Sequence, residues 1–209
     1  MLPRLLIVAV FATLPDTSGT RRRDLDLLSL VDLEKDRVHG QWEREGGALV
    51  ATASIPASRV LIPYVPPEEY DLTVVAERVD GSDALVIGLA SGEAQTAYEL
   101  DGYVSSGHIS GFEVLDKLWA NRNESARPGA VFENGRAGTV VVSVRRRRIT
   151  VLVDRKQVMD WTGDFSRLGV RGDYVVPEKR ALFIGAYNCR FRISRMTLRA
   201  VSGVGKPLR

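Results

Sequence analysis

The stretch that most limits how this chain can fold is GTVVVSVRRRRITVLVDRKQVMDW, residues 138–161. Val140, Val142 and Val144 recur at every second position, and Ile149, Val151 and Val153 do so again after a turn. A period of two in β-branched residues predicts two antiparallel strands with one face buried. Arg146 and Arg147 sit at the tip, and a shorter third strand over 157–161 follows Asp154-Arg155-Lys156. Three strands cannot cover their own apolar face, so the rest of the chain must supply a second sheet.

A length of 209 residues suffices for one large β domain. The 29 basic and 26 acidic side chains leave a net charge of +3, too even a balance to point to nucleic acid. Cys189 is the single cysteine, which excludes an intramolecular disulfide and a cysteine-built zinc cage. With His39 and His108 as the only histidines, a histidine-rich metal site is not expected, nor is any cofactor; calcium stays open.

Residues 1–19 do not read as part of the domain. Arg4 precedes an apolar run over 5–14, followed by Pro15 and small polar residues. Ten residues are too few to cross a bilayer, which takes about 20. The run matches the apolar region of a signal peptide, which predicts an exported, extracytoplasmic or secreted protein without a transmembrane helix; a buried strand or a misassigned start is the alternative. Residues 20–25, with Arg21-Arg22-Arg23, read as a linker, and 26–209 as a single domain.

Within that domain, 26–36 predicts a short helix with Asp24 or Asp26 as its cap. Gly46-Gly47 marks a two-residue hairpin. Residues 70–79, 84–90 and 94–101 predict three antiparallel strands joined by glycine turns. In the last segment Phe191 and Ile193 share one parity while Met196, Leu198 and Ala200 share the other, which predicts a β-bulge near Ser194-Arg195. Residues 102–134 lack sustained alternation, as a functional loop or a packed flap would. About a dozen short strands with frequent turns predict an all-β, two-sheet antiparallel jelly-roll sandwich with one short N-terminal helix.

Several stretches carry a family resemblance: Trp42 followed by Gly47-Ala48-Leu49-Val50, PPEEYDL at 66–72, ITVLVD-x-K-x-V-x-D-W-x-G-D at 149–164, and RALFIGAYNCRFRISRMTL at 180–198. Together they resemble the concanavalin A-like lectin/glucanase group, most closely the laminin-G-like and 3-keto-disaccharide-hydrolase-type domains of exported bacterial proteins. The resemblance runs over 26–209 and implies the jelly roll more firmly than any activity. Where such domains carry Asp-Gly-Lys, this chain has Asp154-Arg155-Lys156. Arginine is costly at φ > 0, so a turn of another type is expected. Glucanases of the group carry Glu-x-Asp-x-x-Glu; Glu69-Tyr70-Asp71 begins that spacing, but Val74 takes the third place, and the retaining-glucanase reading fails.

Two sets of site residues remain. Glu99 and Asp101 are two apart on a strand, about 6.5–7 Å at the backbone, within the range for an inverting acid and base; otherwise both are solvent-side residues opposite Tyr98 and Leu100. Tyr103, His108, Trp119, Asn121 and Asn123, with Tyr98, offer the ring faces and amides that hold sugars; otherwise Trp119 and Phe112 anchor a flap. Residues 102–134 are expected to fold over the face carrying Glu99 and Asp101, with Trp119 at or near the rim. The Arg145–Arg148 run has no interleaved aromatics and reads as a solvated tip, with nucleic acid unlikely as a partner. The expected function is an exported, non-catalytic module binding carbohydrate or a protein partner. The alternatives are a glycoside hydrolase of the keto-disaccharide type, using Glu99 and Asp101, and a purely structural interaction domain.

Overall fold

The computed structural model describes residues 24–91 and 94–209, so the segment read as an export signal lies outside the described residues. Two antiparallel sheets dominate. The larger has the order Lys156–Thr162, Arg148–Val153, Ala137–Arg145, Glu69–Asp80, Arg190–Ser202, Ala48–Ala51, Trp42–Glu45, with Leu25–Asp26 paired on Arg190–Ser202. The smaller runs Arg127–Pro128, Ile109–Phe112, Ala94–Gly102, Leu85–Ser91, Leu182–Ala186, Ser58–Ile62, Arg37–His39. The all-β sandwich expected from the alternation is present.

The valine hairpin sits in the register its period demands. Val140, Val142 and Val144 stand opposite Val153, Val151 and Ile149 on one side and Val74, Leu72 and Tyr70 on the other. All are buried, and they share one core with Leu85, Ile87, Leu100, Leu182 and Ile184 of the second sheet. The arginines around the hairpin tip are tied to acids: Arg145 to Asp71 at 2.8 Å, Arg146 to Glu68 at 3.1 Å and Arg148 to Asp160 at 2.6 Å. In the last strand the register slips between Ile193 and Arg195, and Phe191, Ile193, Met196 and Leu198 are all buried. The extra residue lets both parities face the core.

Two local expectations change. The stretch 26–36 is not one helix but the end of strand Leu25–Asp26, a 3₁₀ turn at Leu28–Leu30 and one α-turn at Leu33–Asp36, capped by Asp32 accepting from the Glu34 N–H. Arg44 donates to the carbonyls of Leu28 and Val31 at 2.8 and 2.7 Å, taking acceptors that a continuous helix would use. The linker reading therefore ends before Leu25, which already pairs with Leu198.

The Asp154-Arg155 turn is not of another type. Both residues have positive φ, 48° and 68°, the mirror-image turn that fits the twist of a tight hairpin. Arg155 thus occupies a left-handed position that glycine fills without strain. Arg155→Gly is expected to raise stability by about 0.5–1 kcal/mol, strain relief outweighing the added freedom of the unfolded chain. A higher urea midpoint at unchanged m-value would show it; a lower midpoint would sink the idea.

The 102–134 excursion is built rather than loose. It adds Ile109–Phe112 and Arg127–Pro128 to the smaller sheet. Val114–Leu115 and Leu118–Trp119 join Leu168–Gly169 in a three-stranded sheet that sends Leu115 and Leu168 into the main core. The crossing after Gly169 lies over the outer face of the smaller sheet, where Tyr174 and Val176 pack on Val86, Ala97 and Phe183. Its anchors are Arg59 donating to the Val175 carbonyl at 3.0 Å and Gln95 accepting from the Val176 N–H at 3.1 Å.

Candidate functional site

On the outer face of the smaller sheet one row of neighbours reads Arg59, Gly185, Val86, Glu99, Gly111. Directly opposed residues share a face, so Glu99 points away from the main core and under the crossing. It is 3% exposed. Its carboxyl group lies where a side chain on residue 102 would begin, since a Cβ added to Gly102 would stand 2.6 Å from the Glu99 Cδ. A side chain at 102 would displace the Glu99 carboxyl from this seat.

Glu113 follows the strand Ile109–Phe112, donates its N–H to the Ala97 carbonyl at 2.9 Å and is fully buried. As carboxylates the two side chains are acceptors only, and no donor meets Glu99 Oε2 or either Glu113 oxygen in hydrogen-bonding geometry. One proton between them makes the contact a hydrogen bond. Burial, then the charge of Glu113 and the bond to it, push the Glu99 carboxyl well above the usual carboxylate range. Burial also raises Glu113, but the bond from Glu99 and the Arg171 guanidinium oppose it. Both carboxyls are thus held above the ordinary carboxylate range, Glu99 the more strongly, and they titrate as a pair. Arg171 forms an ion pair with Glu113. Its guanidinium lies 5.0 Å from the ring centre of Tyr174 and 5.2 Å from that of Trp119, within cation–π reach.

Glu99, Arg171 and Tyr174 border a cleft of about 330 Å³ whose charged walls are Asp83, Glu99 and Arg171 and whose ring walls are Tyr103, Tyr174 and Tyr187. Burial raises the Asp83 carboxyl, against hydrogen bonds from the Ala84 backbone and the Asn188 side chain. The Tyr103 and Tyr174 hydroxyls are buried without a well-aligned partner. The nearest groups are the Asn121 backbone and the Arg171 side chain. Among the described residues no group of three His, Cys, Asp or Glu side chains is arranged to hold a metal ion.

The site residues expected from the sequence divide. Glu99 and Tyr103 line the cleft, and Trp119, half exposed, does not line it but stacks on Arg171, which does. Asn121 lies beside Tyr103, with its side-chain oxygen buried and unpartnered. His108 is at the margin, donating from Nε2 to the Ser82 carbonyl at 2.9 Å. Asp101 does not join Glu99. Its φ of 64° breaks the strand alternation, and its oxygens accept from Arg78 at 3.1 Å and from the Val131 and Phe132 N–H groups at 2.7 and 2.9 Å. The acid that meets Glu99 is Glu113. Tyr98, of opposite parity, is buried in the main core edge-on to Phe112 at 5.6 Å. Asn123 is also interior, donating to the carbonyls of Phe112 and Leu118 and accepting from Ser125.

No family model matches the sequence, and no curated protein matches it. Solved structures do match in shape. The carbohydrate-binding module CBM66 from Bacillus subtilis aligns with a TM-score of 0.54 at 10% identity, over 78% of this chain and 94% of that one. A Crh5 transglycosylase in complex with NAG aligns at 0.56 and 11% identity, over 87% and 84%. The exoplasmic/lumenal domain of VIP36, in a form bound to Ca2+ and Man3GlcNAc, aligns at 0.55 and 13% identity, over 81% and 85%. The fold is that of the concanavalin A-like lectin/glucanase group.

In this concanavalin A-like sandwich, sequence reasoning missed Glu113, Arg171, Tyr174 and Asp83. Glu113 had a signal: it is the one charged residue in the apolar run ISGFEVL, residues 109–115. Arg171 and Tyr174 had none, because the crossing that carries them has no period.

Proposed function

We propose that the chain is a non-catalytic, exported carbohydrate-binding module whose ligand enters the cleft over Glu99. The observation that carries this reading is the contact between Glu99 and Glu113 beneath Arg171 and Trp119. Glycosidase carboxyl groups flank the scissile bond at separations of about 5–5.5 Å or 6.5–9.5 Å. Two that share a proton cannot stand on either side of a glycosidic bond. They can accept from hydroxyls, while Trp119 offers a ring face to sugar C–H groups. A volume near 330 Å³ is at the low end of small-molecule sites, roughly 300–1,000 Å³, and suits the end of a glycan chain. The shared fold with CBM66 and VIP36 supports the reading. Export rests on the apolar run over 5–14.

A glycan array tests it. The protein is expected to retain a subset of glycans, and Trp119→Ala to weaken that retention by about tenfold or more, a loss of one stacking contact and its neighbours. Because Trp119 is 51% exposed, the variant should fold normally by circular dichroism. If no glycan is retained, or if Trp119→Ala binds as well as the parent, the reading is wrong. Cleavage of a retained glycan, lost in Glu99→Gln, would replace it with the hydrolase.

A further inference from the structure

The cleft carries more acid than base. Two carboxyl groups, on Asp83 and Glu99, line it, a third on Glu113 lies buried behind Glu99, and one guanidinium answers them. That guanidinium, Arg171, is committed to Glu113. The other basic side chains near Asp83 are also engaged: His108 donates to the Ser82 carbonyl, and Arg78 pairs with Asp101 at 3.1 Å. Tyr103 and Tyr174 contribute hydroxyls, which are neutral.

The acceptors are also short of donors. One proton joins one oxygen of Glu99 to one of Glu113, Arg171 answers Glu113, and the other oxygen of Glu99 is left without a donor. Glu99 Oε2 is unpartnered, and its side chain is almost wholly buried at the edge of the cleft. Buried polar atoms rarely stay unpaired, and where they border a cleft a ligand is their natural partner. A sugar hydroxyl brings one donor and leaves the shared proton in place. An ammonium brings three donors, no acceptor and the positive charge that the second carboxylate needs. A carboxylate or sulfate brings charge of the wrong sign.

We propose that the cleft selects a glycan end bearing a primary amine, whose ammonium displaces the proton shared by Glu99 and Glu113, and that it rejects uronic and sulfated ends. The proton leaves to solvent, so binding releases up to one proton per ligand. This rests on the carbohydrate reading above and narrows it to one class.

Isothermal titration with matched glycans tests the proposal: each 2-amino sugar beside its N-acetylated, neutral and uronic counterparts, in gluco, galacto and manno series. Running each in two buffers of different ionisation enthalpy counts the protons released. The amino forms are expected to bind about tenfold or more tightly than the other three, the worth of one charge-assisted hydrogen bond. Proton release should accompany only the amino forms. Glu99→Gln, whose amide donates to Glu113 as the shared proton does, should keep the fold, lose the proton release and weaken amine binding by a similar factor. Should neutral or N-acetylated glycans bind as tightly as amines, or amines bind without releasing protons, the proposal falls and the carbohydrate reading stands. Failure of every glycan in the set and on the array removes both.

Discussion

Asp101→Ala is expected to cost about 3–5 kcal/mol of stability at neutral pH, the usual consequence of removing one partner of a buried ion pair. Both members are inside: Asp101 is fully buried and Arg78 is 4% exposed. The carboxylate serves two ends. Toward the larger sheet it neutralises Arg78, and toward the returning excursion it accepts from the Val131 and Phe132 N–H groups. Without it Arg78 keeps the Asn134 side chain and the Phe132 carbonyl, both at 2.7 Å, but these are neutral acceptors and leave the charge unbalanced. Asp101→Asn restores one acceptor and should lose less. Urea unfolding of the two variants beside the parent decides the matter. A loss below about 1 kcal/mol in Asp101→Ala would mean that the excursion is not anchored here.

The second large effect is a dependence on pH. Glu99 in the folded protein titrates well above its ordinary value of 4.5, so between those two values the folded state holds a proton that the unfolded state has released. Stability from this group is therefore complete below the ordinary value and is lost as pH rises through the folded one. Within that window the slope is about 1.4 kcal/mol per pH unit for one proton. Glu99→Gln carries no titrating group and keeps a donor toward Glu113. Its stability should match the parent at acid pH and exceed it increasingly as pH rises. Parallel curves for the two proteins across that range would mean that Glu99 is ionised in the folded state.

How far the sequence alone could reach depended on whether each residue was part of a repeating pattern. Val140, Val142 and Val144 have a period, and the buried face follows from it. The Ser194-Arg195 bulge was legible for the same reason, since a slip is visible only against a regular background. Glu99 was legible as one of two acids spaced two apart on a strand. Its partner was not: Asp101 has the right spacing, and only its left-handed backbone angle takes it off the face. Arg155 shows the opposite case, a residue whose chemistry argued against the turn it nonetheless makes. There the pairing of Val153 with Lys156 dictates a two-residue connection, and the arginine accepts the strain. Arg171 reaches the site through a crossing held by Arg59 and Gln95, contacts that span 116 and 81 residues. No local pattern can encode separations of that size.

That crossing has a consequence for finding the ligand. Its walls come from segments that meet only when the chain is folded: Glu99 from a mid-chain strand, Arg171 and Tyr174 from a stretch some seventy residues later. Any compound bridging them becomes a clamp between distant parts of the polymer and has no counterpart in the denatured chain. By mass action, a compound at a hundred times its dissociation constant adds about 2.7 kcal/mol to the folded state. A plain melting screen, with no label and no assumed chemistry, can therefore sort sugars, amines and everything else by the same scale.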